Sequence, residues 1–216
     1  MYFIGLFIMT LGVALSVKSD LGVSPVSSVP YTITCIFELE MGKATILFHC
    51  ALVVIQIAFL RRKFKPKNLL QIAVGIVFGY FTTFCNYCVS FLPTPDNIVI
   101  RLLMVGVSTI LVAFGIFFYV PADIMPLAGE GTMQMFSDLT GKEFSKVKIV
   151  FDVSMVAVSL AACLIVLHRP ASVGVGTVIS AFLVGLVLGV ITKRFGKYRD
   201  RLLKAEDKSE ANEVKC

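Results

Sequence analysis

The sequence predicts an all-α fold, a polytopic transmembrane helix bundle of two inverted three-helix repeats, each with a short re-entrant or broken helical segment. Three observations carry that expectation. Of the 216 residues, 57% are hydrophobic and only 16% charged, where a soluble domain of this length needs about a quarter charged. The charges are bunched, and the apolar runs between them approach the ~20 residues that a crossing helix needs. Polar and small positions of the first half also return in the second at a nearly fixed offset. The formal net charge of +6 comes from two basic clusters. It therefore bears on topology and not on nucleic acid, which is not an expected partner.

A first span covers about residues 2–17 and lacks the basic leader and cleavage site of a signal peptide. The polar stretch 20–28, with Gly22 and Pro25, interrupts the apolar pattern, and an apolar segment at about 29–37 follows. That segment is too short to cross. Polar residues 38–43 lead to a second span at about 44–60, then to the densest basic cluster, 61–67. A third span runs over about 69–92 and ends in the turn 93–97. The second half opens with a span at about 99–120, a second polar break at 123–131 and a short segment at 132–139. Spans at about 147–167 and 173–192 complete the set, joined by the turn 168–172. Residues 1–192 thus form one transmembrane domain, with repeats at about 2–92 and 99–192. The charged tail 193–216 has no apolar period and is expected to be disordered and cytoplasmic.

Adding 103 maps Gly12 onto Gly115, Asp20 onto Asp123, Glu40 onto Glu143 and Lys43 onto Lys146. The same shift carries Thr45, His49 and Gln56 to Lys148, Asp152 and Ser159. In the last span of each half the offset is 106, and Gln71, Gly75, Gly79 and Thr83 fall on Thr177, Ala181, Gly185 and Gly189. Mostly small residues at four-residue spacing let membrane helices approach closely. Placing the basic 61–67 loop and the basic tail in the cytoplasm puts both termini inside, in a bacterial cell membrane. Three spans per half is an odd number, so the second half enters from the opposite side.

The two breaks are where a site is expected. Ser24, Pro25, Ser27 and Ser28 start one half-helix; Gly129, Glu130, Gly131 and Thr132 start the other. Exposed N–H groups and the positive dipole end favour an anionic or carbonyl-bearing ligand. Glu130 adds three alternatives: it caps its own helix, takes a proton, or binds a cationic group. Ser24, Ser27, Ser28, Glu130 and Thr132 are therefore the expected solute-binding residues. Asp152, with His49 as partner, is expected to carry a coupling proton or cation, because ionisable residues inside spans face the protein interior. The competing reading is that each ties helices together or lies near enough to the interface to be solvated. Lys18, Asp20 and Asp123 read as interfacial charges, and Arg101 as snorkelling. Cys85 and Cys88 form a CxxC without a second ligand pair, so packing is the better reading. No cofactor or metal is expected, and no catalytic motif points to an enzyme.

The motifs resemble the YitT/YczE-like integral membrane proteins of bacteria. The residues that carry the resemblance are Ile4-Gly-Leu, Gly12-Val-Ala-Leu-Ser and Ser19-Asp-Leu-Gly-Val-Ser-Pro25 in the first half. In the second they are Gly131-Thr132, Phe144-Ser-Lys-Val-Lys-Ile149 with Asp152, and Gly174-Val-Gly-Thr-Val-Ile-Ser180 with Gly185. The resemblance spans residues 4 to about 192 and implies a multi-pass membrane protein, without naming a substrate. Met125-Pro-Leu-Ala-Gly-Glu-Gly-Thr132 departs from the expected Gly-Thr-Gly-Pro type of stretch, so no ligand rule carries over. The expected function is a secondary transporter of a small solute by alternating access, with proton or cation coupling as an option. The alternative is a non-transporting partner that stabilises or regulates another protein; a channel is a third reading. The expected partners are the lipid bilayer and a small solute, with a second copy of the chain a candidate for a homodimer.

Overall fold

The computed structural model describes residues 1–120, 125–169 and 171–213, with only the backbone described for Ser145 and 197–213. Asp123 lies outside the described residues. In chain order the helices are α1 (Tyr2–Ser19), α2 (Pro25–Phe37), α3 (Met41–Leu60), α4 (Leu70–Ser90), α5 (Ile98–Tyr119), α6 (Ala128–Thr140), α7 (Phe144–Leu167) and α8 (Val175–Glu213). No strand occurs among the described residues. Six segments are long and apolar enough to cross a membrane, and they contain α1, α3, α4, α5, α7 and the first part of α8. Helices α2 and α6 have 13 residues each. At that length they reach about 20 Å, short of the ~30 Å hydrocarbon core.

Both short helices start earlier in the chain than hydropathy suggests, because proline and small polar residues belong inside a first turn. Pro25 occupies the first position of α2, where its missing N–H costs nothing, and Ser27 and Ser28 lie in that turn. Helix α1 stops at Asp20, which turns left-handed (φ 54°) and donates its N–H to the Val17 carbonyl at 3.2 Å. Gly22 follows with φ +96°, and a Cβ there would collide with Gly174 and Thr177. This lead-in is tied to the far end of the chain, since Gly176 N–H donates to the Leu21 carbonyl at 2.7 Å.

Helices α1 and α5 pack along each other at the centre. Gly5, Gly12 and Gly115 make that possible: a Cβ on any of them would come within 2.5–2.8 Å of the facing helix. Ser108 Oγ adds a hydrogen bond to the Gly12 carbonyl at 2.7 Å. Helix α4 flanks α1, and α8 flanks α5. The half-helices cross over: α2 packs on α7 as well as α3, and α6 on α3 as well as α7. Large apolar side chains such as Val150, Ile165, Phe182 and Val190 face outward, as lipid contact requires.

The tail continues α8 as helix through Glu213. Residues 197–213 contain no Gly or Pro and many strong helix formers, so an existing helix propagates into them without a new nucleus. The second small-residue stripe does not receive a neighbouring helix as the first does. Gly42, Gly75 and Gly79 bring α3 and α4 together, whereas added Cβ atoms at Gly185 and Gly189 would meet nothing within 4 Å. Among the described residues α7 and α8 stand apart.

Candidate functional site

The gap beside α8 opens into a cavity of about 510 Å³, the size of a small-molecule site. Its walls come from the middle of α1, the second half of α5, the starts of α3 and α7, α4, α8 and the tips of both half-helices. Most of the wall is apolar, including Met9, Phe48, Phe78 and Met133. The tips of α2 and α6 adjoin: a Cβ on Gly129 would stand 3.7 Å from Val26 Cγ1. These two residues are the second helical positions of their half-helices.

Of the residues singled out by sequence, Ser24, Ser27, His49, Glu130 and Asp152 line the cavity. Ser24 Oγ donates to Ser27 Oγ at 3.0 Å, and no side chain caps the α2 N-terminus. Glu130 sits three residues into α6, reaching back toward the Leu127 N–H and within electrostatic reach of Lys148. Ser28 and Thr132 stand behind the wall. Ser28 Oγ donates to the Pro25 carbonyl at 2.6 Å. Thr132 Oγ1 donates to the Ala128 carbonyl at 2.7 Å and accepts from Gln56 Nε2 at 3.2 Å.

Asp152 does not pair with His49. Its Oδ2 accepts from Lys148 Nζ at 2.8 Å, one helical turn away, and its Oδ1 has no partner. His49 is buried, with its ring edge-on to Phe48 and Phe78 at 5.8 and 5.7 Å, and its Nδ1 has no partner. Gly75 makes room for it, since a Cβ there would lie 2.8 Å from His49 Cβ. Tyr119, at the end of α5, also lines the cavity, with a buried and unpartnered hydroxyl. Sequence reasoning passed over Lys148 and Tyr119. Lys148 carried a signal, its i, i+4 spacing to Asp152; Tyr119 carried none. The interfacial residues find each other too, with Arg101 3.3 Å from Asp20.

Two buried polar clusters hold the half-helices from behind. Gln56 Nε2 lies 2.8 Å from Gln71 Oε1 and 3.2 Å from the Ala128 carbonyl, fixing α6 to α3 and α4. On the other side Thr32 of α2 contacts Ser159 and Cys163 of α7 and lies 2.7 Å from Ser172 Oγ. Ser159 and Ser172 are 3.0 Å apart. These hydroxyls bond one another and tie α2 to α7 and to the turn before α8.

The profile of DUF6198, a family of unknown function, matches residues 1–193. The uncharacterised membrane protein YczE of Bacillus subtilis (strain 168) is 25% identical over 188 residues, 87% of this chain and 81% of that protein. The uncharacterised protein YyaS of the same organism is 25% identical over 189 residues, 88% of this chain and 89% of the relative. The resemblance to YczE-like membrane proteins read from the sequence is borne out. No solved structure matches.

Proposed function

The chain belongs to the DUF6198 family, whose function is unknown, and we propose that it is a secondary transporter moving a small solute by alternating access. One observation carries the reading. Met41, Thr45 and His49 on α3, and Phe144, Lys148 and Asp152 on α7, are equivalent positions 103 residues apart, and all six line one cavity. The α3 set is sealed, with exposures of 7%, 3% and 4%. The α7 set is open: Phe144 is 39% exposed, and the side chains of Lys148 and Asp152 are 48% and 18% exposed. A site shut at one helix pair and open at its equivalent is what half a cycle of alternating access requires.

In the other half-cycle α7 seats on the small stripe of α8 while α3 leaves α4. The two halves act as inverted repeats, because three spans each turn the second half over. Support comes from the helix bounds: α2 and α6, and likewise α3 and α7, start 103 residues apart. With the basic 61–67 loop in the cytoplasm, both termini are cytoplasmic and the open mouth at the start of α7 faces inward. Asp152 exchanges Lys148 for a proton or cation as α7 closes, and His49 is its counterpart on α3.

The test uses Phe144→Cys and Thr45→Cys in a cysteine-free background, which leaves the Lys148–Asp152 pair intact, with a membrane-impermeant maleimide applied to inside-out and right-side-out vesicles. Phe144→Cys is expected to label from the cytoplasmic face at least about tenfold faster, a 1.4 kcal/mol bias between states, and Thr45→Cys to resist from both. Equal labelling of Phe144→Cys from the two faces identifies a channel. Lack of labelling at Phe144→Cys from either face removes the transporter reading.

A further inference from the structure

We propose that a depression at the end of α3 holds the headgroup of an anionic phospholipid from the surrounding bilayer. It is lined by Phe59, Leu60, Arg61, Arg62 and Lys63 of the first half and by Leu139 of the second, and its volume is about 540 Å³. None of these residues lines the central cavity, so the assignment is independent of the transporter reading. Local structure gathers the cations. Helix α3 ends at Leu60, and Arg61 turns the chain with φ 45°, a positive value that a residue with a side chain rarely adopts. One 3-10 turn over Arg61–Lys63 follows, and three consecutive cations stay together at the helix end.

Charge sets the headgroup. No acidic side chain lines the depression. Asp138, next to Leu139 in the chain, accepts from Gln134 Nε2 at 2.8 Å. Among the described residues none forms an ion pair with Arg61, Arg62 or Lys63. Two guanidinium groups and an ammonium suit a phosphate, which accepts paired N–H donors from arginine. One cation would already suit the negative end of the α3 dipole. Three go beyond that.

The apolar part of the depression separates a lipid from free phosphate. Phe59 and Leu139 are 58% and 48% exposed, and the Phe59 ring meets Phe136 of α6 edge-on at 5.2 Å. An apolar floor thus joins the ends of α3 and α6 beside the cations. The segment long and apolar enough to cross a membrane ends at Lys63. That puts the depression where hydrocarbon gives way to headgroups. An anionic phospholipid meets both parts, phosphate on the cations and acyl chain on the floor. Free phosphate meets only the cations, and a zwitterionic lipid brings a cation of its own to a site that holds three.

The experiment titrates the full chain in detergent with dioleoyl phosphatidylglycerol, dioleoyl phosphatidylcholine or inorganic phosphate and reads the thermal melt. Phosphatidylglycerol is expected to raise the midpoint saturably, and the other two to leave it unchanged. Arg62→Gln with Lys63→Gln is expected to raise the half-saturating concentration of phosphatidylglycerol at least about tenfold. Lys65→Gln with Lys67→Gln removes the same charge from the same loop outside the depression, and is expected to change it less than about threefold. Leu139→Glu puts an acid into the depression from α6 with every loop cation in place, and is expected to lose as much as the first pair. Size-exclusion profiles and lipid-free melts show which variants are folded, and where the loop pair is not, Leu139→Glu decides alone. Equal losses in the two loop pairs overturn the site in favour of diffuse attraction to the membrane. Unchanged affinity in Leu139→Glu overturns it too, as does a response to phosphatidylcholine or phosphate equal to that of phosphatidylglycerol, or no saturable response to phosphatidylglycerol.

Discussion

Helices α3 and α7 begin with residues in the same register, yet one is pressed against its neighbour and the other stands clear of it. The small-residue stripe is present both times, on α4 and on α8. Small residues therefore permit close approach and do not cause it. What differs is the facing helix. Toward α4, helix α3 presents Gly42, Ile46 and the Cβ of His49, which pack against Thr83, Gly79 and Gly75. Helix α7 carries Lys148 and Asp152 on its cavity side, a pair that stays partly exposed. Burying that pair against glycine would strip its solvation without offering new partners. The charged pair is thus the candidate for what holds the gap open.

The contrast can be broken most severely on its closed side. A Cβ on Gly42 would run into Thr83 and the Gly79 carbonyl, so Gly42→Val is expected to cost about 3 kcal/mol. A thermal melt in detergent reads it; an unchanged midpoint means that α3 and α4 are not packed as described. Next come the clusters behind the half-helices. Gln56→Ala strands Gln71 Oε1 and is expected to cost about 2 kcal/mol. Ser159→Ala leaves Thr32 and Ser172 bonded to each other and is expected to cost about 1 kcal/mol. Equal losses would show that the two half-helices are held equally.

A smaller stability effect carries more information. Lys148→Thr with Asp152→His gives α7 the residues that α3 has, and is expected to change stability by less than about 1 kcal/mol, as for a partly exposed ion pair. The same double change is expected to close the gap, so that a reporter Gly185→Cys labels several-fold more slowly. Undiminished labelling would mean that the pair does not prop the gap. Smallest is Gly189→Ala. Nothing lies within 4 Å of the new methyl, so the change is expected to be neutral or to stabilise by up to about 1 kcal/mol. A clear loss of stability in lipid would place another helix against that stripe.

Hydropathy made the six spans and the two short helices legible because each is a local run long enough, or too short, to cross. The 103-residue offset of the polar positions also separates the starts of α2 and α6. The helical tail escaped notice because polar residues without an apolar period look alike in a helix and in a coil. Within the site, one-dimensional spacing gathers residues of one helix face, and it brought Ser24, Ser27, His49, Glu130 and Asp152 to attention. It could not tell that Ser28 and Thr132 turn into the wall, because which face of a half-helix meets the cavity is decided by packing from the other half. Tyr119 was invisible for a related reason: an aromatic residue ending an apolar span is ordinary until its hydroxyl is seen without a partner.

The crossing of the half-helices has a consequence for how the protein is made. When residues 1–92 have left the ribosome, α1, α3 and α4 can enter the bilayer, but Thr32 has only the Ser28 carbonyl of its own helix, because Ser159, Cys163 and Ser172 are still untranslated. Gln56 likewise waits for Ala128 and Thr132. An interrupted synthesis product thus keeps the bonds within the first half and lacks those that tie the half-helices across the two halves. The two halves reach a lasting fold together or not at all.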